Sequence, residues 1–149
     1  MILTDADHIR NLLADYCALV DSGDFDGVGE LMADAVLGAV DGPDLARGRD
    51  EIADFYRKVV KLKEDGTPRT QHVVSNVWLG QPAPDDTVEV RSSFTVLQAV
   101  DGLPLQPVMT GRYVDRFGKD PYGVWRFVSR RFAAGLTGDL SHHMEMKLS

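Results

Sequence analysis

The spacing of apolar residues changes once along the chain, near Thr70, and this change constrains the fold more than any other feature. Before Thr70 the apolar residues recur mostly at helical spacing, which predicts helices with one inward face. The clearest example is the series Ile9, Leu12, Leu13, Tyr16 and Val20. After Thr70 apolar and polar residues alternate, as over residues 88–96, which predicts strands with one buried face. Helices followed by a run of long strands indicate an α+β domain.

Capping and turn residues predict where these elements begin and end. Thr4 together with Asp7 is suited to cap the first helix. Gly23 can end that helix, and Asp24 can cap a second one. Asp50 is expected to cap a third helix. Two short strands are expected between residues 35 and 47, and long strands are expected at 70–80, 87–100, 105–117 and 123–134.

Long strands in a small domain twist, and a twisted sheet of this length curls. We therefore expect three N-terminal helices packed on a strongly curved, mixed, mostly antiparallel sheet that encloses a pocket. The chain has 149 residues and is expected to form a single domain, with a core at 4–134 and a polar C-terminal tail at 135–149. This tail is expected to order against a neighbouring subunit.

The composition and net charge limit the kinds of partner that the chain is expected to bind. Apolar residues make up 44% of the chain and charged residues 26%, which is typical of a globular protein. The net charge of −7 argues against binding to nucleic acid or to an anionic membrane, because both require a basic face. The N-terminus lacks the basic and apolar regions of a signal peptide, so a cytoplasmic protein is expected. Cys17, the lone cysteine, is expected to be a packed thiol.

Several short motifs recur in a known superfamily. They are Tyr16-x4-Asp21-x-Gly23-Asp24, Gly48-Arg49-Asp50-x-Ile52, Thr70-Gln71-His72-x3-Asn76, Gly111-x-Tyr113-x-Asp115 and Gly123-x-Trp125-Arg126-Phe127. By these motifs, residues 4–134 resemble the nuclear transport factor 2-like (NTF2-like) superfamily and, within it, the SnoaL-like group. The resemblance implies a cone-shaped fold with a pocket. It leaves the reaction open, because the same cone serves isomerases, dehydratases, dehydrohalogenases, cyclases and non-catalytic binders.

Three groups within this superfamily help to interpret individual residues. By resemblance to ketosteroid isomerases, Tyr16 matches their oxyanion-hole tyrosine, but Ala39 replaces their catalytic base and Tyr113 replaces their oxyanion-hole acid. By resemblance to scytalone dehydratases, His72 matches the catalytic base and Asp21 the aspartate that orients it. Hexachlorocyclohexane dehydrochlorinases share this aspartate and histidine pair. The resemblance therefore favours dehydratase or dehydrohalogenase chemistry over steroid isomerisation.

The predicted catalytic pair is Asp21 and His72, with Tyr16 and Tyr113 as hydrogen-bond donors to a developing oxyanion. Histidine is suited to proton abstraction near neutral pH, and a carboxylate on one ring nitrogen leaves the other free as a base. The rival interpretation is that Asp21 only binds backbone amides and that His72 is a satisfied core histidine.

Other residues are assigned more loosely. Phe55 and Trp78 are expected to contact the substrate, and Asn76 is expected to orient it or to tie the strand. The last strand carries Arg126, Arg130 and Arg131, which either make subunit contacts or bind an anionic substrate. No metal is predicted, because the adjacent His142 and His143 lack an obvious third ligand.

The function predicted from the sequence is that of a lyase or isomerase that acts on a small apolar or polyketide-like molecule without a cofactor. The alternatives are a non-catalytic ligand-binding or assembly module of the same fold, and a polyketide cyclase. The chain is expected to associate with itself, as a homodimer or homotrimer, through the outer face of the sheet.

Overall fold

The computed structural model describes residues 1–145, so the last four positions of the predicted C-terminal tail lie outside the described residues. Within residues 1–145 the chain forms three helices and six strands. In chain order they are α1 (Asp5–Asp21), α2 (Phe25–Leu31), β1 (Val36–Ala39), β2 (Asp44–Arg47), α3 (Gly48–Val59), β3 (Thr70–Leu79), β4 (Val88–Val100), β5 (Leu103–Lys119) and β6 (Trp125–Thr137). None of the helices in this range is both long and apolar enough to cross a bilayer.

Helices α1 and α2 begin where side chains satisfy their free amides. The Thr4 hydroxyl accepts from the Asp7 amide, and the Asp7 carboxylate accepts from the Thr4 amide, which confirms the predicted capping box. Asp24 caps α2 as expected. The prediction for α3 was wrong by three residues: Arg47 stands at the cap position, the helix begins at Gly48, and Asp50 lies in its first turn, where its charge still favours the helix dipole.

The strands form a single sheet in the order β2-β1-β6-β5-β4-β3. Strand β1 runs parallel to β6, and the other neighbouring strands are antiparallel, so the sheet is mixed and mostly antiparallel as predicted. It is not closed, and β2 and β3 are its edges. The helices pack on one face and bury the core, which includes Ile9, Val28, Leu37, Ile52 and Phe117. These observations confirm the α+β fold.

A β-bulge divides β3. Ser75 pairs with Ser93, but the next paired residue, Trp78, lies opposite Arg91, so β3 carries one extra residue. Asn76 lies in the bulge with a φ of 54°, a left-handed conformation that asparagine tolerates better than most residues. The half-buried side chains are His72 and Val74 before the bulge and Val77 and Leu79 after it. Because of the bulge, the side chains of β3 that face the core are at even-numbered positions before Asn76 and at odd-numbered positions after it.

The described part of the C-terminal tail packs against its own chain. Strand β6 continues to Thr137, and residues 138–145, here called the C-terminal segment, then turn back across the end of α3. The Lys61 amide donates to the His143 carbonyl at 2.8 Å, and the Glu145 amide donates to the Val59 carbonyl at 3.0 Å. Residues 138–145 therefore pack against their own subunit, and contact of this tail with a neighbouring subunit stays a prediction.

Candidate functional site

A small cavity of about 60 Å³ lies between α1, α3, the sheet and the C-terminal segment. Most of its lining is apolar and includes Val20, Phe55, Val96, Met109, Phe132 and Met144. Its polar lining consists of two imidazoles, from His72 and His143, and three phenols, from Tyr16, Tyr56 and Tyr113. The predicted pocket residues Tyr16, Phe55, His72 and Tyr113 are thus brought together around one space.

The predicted pair of Asp21 and His72 is in direct contact. Asp21 is the last residue of α1, and His72 is the third residue of β3, so the helix end meets the start of the strand. His72 Nδ1 lies 2.6 Å from Asp21 Oδ1. The Asp21 carboxylate also accepts from the His72 amide at 2.8 Å and from the Thr70 hydroxyl at 2.9 Å. These contacts fix both the carboxylate and the imidazole.

This contact determines which ring nitrogen of His72 can act as a base. An ionised carboxylate only accepts hydrogen bonds, so His72 Nδ1 carries the proton and Nε2 keeps its lone pair. The side chain of His72 is only 7% exposed, and that of Asp21 is 19% exposed. The pair therefore lies largely out of solvent, next to an apolar cavity.

Three tyrosines form a second polar group on the cavity wall. The Tyr16 and Tyr56 hydroxyls share a short hydrogen bond, and the Tyr16 ring meets the rings of Tyr56 and Tyr113 edge to face, each at a centroid distance of 6.0 Å. Burial raises the pKa of all three phenols above the ordinary value. They therefore remain protonated and can donate hydrogen bonds at neutral pH.

A buried ion pair supports these tyrosines from behind. The Arg130 guanidinium donates two hydrogen bonds to the Asp115 carboxylate, both at 2.8 Å, and neither side chain is exposed. The same guanidinium lies 4.2 Å from the Tyr16 ring centroid and 3.6 Å from that of Tyr113. Burial acts to lower the pKa of Arg130, but Asp115 outweighs it and keeps that pKa above its ordinary value. Of the two suggested roles, a subunit contact does not fit Arg130, because its side chain is enclosed.

His143 is a cavity residue that the sequence reasoning missed. Its side chain is buried, and its ring lies edge to face with that of His72 at a centroid distance of 5.9 Å. Burial is the main cause that lowers the pKa of His143 to about 4, and the neighbouring His72 adds to it. The helix-like spacing of Leu140, His143 and Met144 is the signal that could have predicted a packed turn here.

Two predicted substrate contacts do not line the cavity. Trp78 is 49% exposed, and its ring lies 4.5 Å from the Arg91 guanidinium. Asn76 is exposed at the bulge. The expected substrate contacts of Trp78 and Asn76 are not supported, because the bulge breaks the alternation along β3 and leaves both side chains on the outside. Burial raises the pKa of Cys17 to about 11, as expected for a packed thiol.

Over the described residues, no three of His, Cys, Asp and Glu are grouped to hold a metal ion.

Comparison with solved structures reveals the same fold in other proteins. An NTF2-like protein with a cystatin-like fold from Novosphingobium aromaticivorans is 26% identical; the match covers 93% of this chain and 86% of that one, with a TM-score of 0.69. A candidate scytalone dehydratase from the same organism is 22% identical over 91% of this chain and 87% of that one, with a TM-score of 0.69. A Catenulispora acidiphila protein solved in complex with S-DNPA is 19% identical over 85% of this chain and 90% of that one, with a TM-score of 0.66.

The sequence itself matches the SnoaL-like domain over residues 1–131, which is most of the chain. This match and the NTF2-like structural neighbours confirm the superfamily and the group that the motifs indicated. The chain belongs to the SnoaL-like domain family.

Proposed function

We propose that this protein is a cofactor-independent lyase or isomerase that removes a proton from a carbon atom of a small, largely apolar molecule. The observation that carries the proposal is the 2.6 Å contact between His72 Nδ1 and Asp21 Oδ1 at the wall of the cavity. It leaves His72 Nε2 as a base with a fixed orientation, and a carboxylate in position to stabilise the imidazolium that forms.

In the proposed reaction the substrate carbon transfers its proton to His72 Nε2. The electron pair left on carbon then forms a double bond as a leaving group departs, or it moves onto an adjacent carbonyl oxygen. Tyr16 is suited to stabilise such an oxygen. If Tyr16 accepts the hydrogen bond from Tyr56, its own proton is free to point at the substrate, and burial keeps both phenols protonated.

The proposal can be tested before the natural substrate is identified. 5-Nitrobenzisoxazole is a general probe for carbon acids: removal of its C3 proton breaks the N–O bond and releases a coloured cyanophenolate. We expect His72→Ala to lower the turnover of this probe by about 10²- to 10⁴-fold, the usual contribution of a positioned base. His8→Ala, which removes an exposed histidine of α1, is the matched control and should leave the rate unchanged. Equal rates for the wild type and His72→Ala would exclude the proposal.

One observation favours a second candidate, a ligand-binding module without catalysis. Asp21 also accepts from the His72 amide and the Thr70 hydroxyl, which is the way a purely structural carboxylate ties a helix end to a strand. A binder would hold a small apolar ligand in the same cavity. Its wild type and its His72→Ala variant would then give equal rates in the benzisoxazole assay.

We also propose that the chain associates with itself through the sheet face that points away from the helices. Exposed apolar side chains on this face support the proposal, among them Val73, Trp78 and Val128. Light scattering should report a homodimer or homotrimer for the wild type and a smaller species for Trp78→Ser. An unchanged mass for Trp78→Ser would argue against contact at this position.

A further inference from the structure

We infer that His143 binds a hydroxyl group of the substrate beside His72, so that the reaction is the elimination of water. This inference deepens the proposed function and rests on it. The observation that carries it is a polar atom without a partner: His143 Nδ1 is buried and forms no hydrogen bond with any residue in 1–145. Buried polar atoms of this kind are rare in folded proteins and call for an explanation.

The position of His143 is fixed by its backbone and does not depend on its ring. The carbonyl of His143 accepts from the Lys61 amide at 2.8 Å, and its own amide donates to the Leu140 carbonyl at 3.0 Å. The Gln98 side chain holds the neighbouring His142 carbonyl at 3.1 Å. The imidazole is thus presented to the cavity by a segment whose backbone is already satisfied, and its polar atoms remain available to a ligand.

The chemistry of a neutral imidazole selects a hydroxyl group. His143 is uncharged at neutral pH, because burial and the nearby His72 keep its pKa near 4. Its Nδ1 is then either a donor or an acceptor, depending on the tautomer. A hydroxyl group both donates and accepts, so it matches either form. A halide is at best a weak acceptor and would leave the imidazole unpaired in an apolar space. His143 therefore favours dehydration over the loss of a halide.

The proton transfers of such a reaction balance at His72 alone. The substrate C–H bond breaks, its proton passes to His72 Nε2, and its electron pair forms the carbon–carbon double bond. The C–O bond breaks with its electron pair on oxygen, and that oxygen takes the proton from the His72 imidazolium and leaves as water. His143 holds the departing oxygen on the same side as the base. The two rings lie edge to face at a centroid distance of 5.9 Å, so a hydroxyl group bound by His143 in the cavity would lie close to the base.

A binding experiment tests this role separately from catalysis. The probes are cyclohexanol and chlorocyclohexane, which share a ring and differ in that a chlorine atom replaces the hydroxyl group. Their affinities are measured by NMR titration of ¹⁵N-histidine-labelled protein. We expect the wild type to prefer cyclohexanol by about three- to tenfold, as expected for a single neutral hydrogen bond, with a shift of the His143 Nδ1 signal. His143→Phe should abolish the preference, and His142→Phe is the matched control that should retain it.

Further outcomes separate the inference from the proposed function. His143→Asn places a polar group where Nδ1 stood and should restore part of the preference for cyclohexanol. Equal affinity of the wild type for both probes, absence of saturable binding, or a preference that survives His143→Phe would overturn the inference. None of these results bears on the benzisoxazole assay, in which no hydroxyl group leaves, so a failure of the base assigned to His72 would be seen there independently.

Discussion

Two polar clusters border the same cavity, and they differ in how firmly the surrounding structure holds them. The tyrosine–arginine cluster consists of Tyr16, Tyr56, Tyr113, Asp115 and Arg130. The histidine cluster consists of Asp21, His72 and His143. Asp115 and Arg130 lie on the paired strands β5 and β6, in the middle of the sheet, and are fully enclosed. His72 lies on the edge strand β3, and His143 lies on the C-terminal segment, which a few hydrogen bonds tie to the rest of the subunit.

The difference separates a fixed wall from a wall that can open. Ligand sites commonly have volumes of about 300–1,000 Å³, whereas this cavity measures about 60 Å³. Admission of a substrate therefore requires a displacement. Moving the tyrosine–arginine cluster would expose a buried ion pair and break the centre of the sheet. Moving the C-terminal segment breaks a few hydrogen bonds and exposes the side chain of His143, but leaves the sheet and the ion pair intact. The histidine side of the cavity is where we expect it to open.

The largest effect is expected from breaking the enclosed pair. Asp115→Asn leaves the Arg130 charge buried without a counter-ion, and such changes cost about 3–5 kcal/mol of unfolding free energy. Urea denaturation of the variant should show this loss. The control is Glu89→Gln, which breaks the exposed contact between Arg91 and Glu89 and should cost at most about 1 kcal/mol. Similar losses for the two variants would remove the distinction between the fixed wall and ordinary surface charge.

The next effect concerns the pH dependence of the histidine cluster. The pKa of His143 is about 4 in the folded protein, whereas a histidine in the unfolded chain titrates near 6.5. As the pH falls through this interval the unfolded chain binds the proton first, so stability is full above about 6.5 and declines towards pH 4. The expected loss from this residue is roughly 3 kcal/mol. Besides His72, the charged groups that act on it are Asp21 and Lys63.

Denaturation of the wild type and His143→Phe at a series of pH values measures the contribution of His143 to the pH dependence of the unfolding free energy. The variant lacks the titrating group, so its stability should fall less than that of the wild type between pH 6.5 and 4. Parallel curves for the two proteins would mean that His143 is accessible to protons in the folded state, and that the histidine side is already open.

A smaller effect is expected where the C-terminal segment is tied down. Gln98 donates to the Pro68 carbonyl at 2.9 Å and to the His142 carbonyl at 3.1 Å. Gln98→Leu removes both hydrogen bonds and should cost about 1–3 kcal/mol. Hydrogen exchange should accelerate at the Lys61 and Glu145 amides, which join this segment to the end of α3, and should remain unchanged in β5. Uniform acceleration along the chain would indicate global destabilisation and would contradict a local opening.

The smallest effect is expected within the tyrosine group. Tyr56→Phe removes the hydroxyl that bonds to Tyr16 and keeps the ring, so the unfolding free energy should fall by about 1 kcal/mol. If Tyr56 orients the Tyr16 proton towards the substrate, benzisoxazole turnover should also fall by a few-fold, since a phenolate oxygen develops in that reaction. Unchanged turnover would restrict Tyr56 to a packing role.

The sequence predicted the parts of the site that depend on local patterns. Asp21 closes a helix with clear apolar spacing and His72 opens a strand, so their meeting followed from the motifs and the fold. The enclosure of Arg130 could not be inferred, because its partner, Asp115, lies on a different strand and the register of β5 and β6 decides their contact. His143 was missed for a similar reason: its burial depends on Lys61 and Gln98, which are distant in the sequence.

The bulge in β3 has a practical consequence for anyone who wishes to redesign the cavity. Libraries aimed at a strand usually vary every second residue, and such a scheme that started from His72 would reach Val74 and then Asn76, which is exposed. The inward series resumes at Val77. Deletion of Asn76 would remove the bulge and restore simple alternation along β3, with Val77 still facing the core and Trp78 still facing outward. The bulge at Asn76 thus determines which side chains of β3 face the core and which face the outer surface.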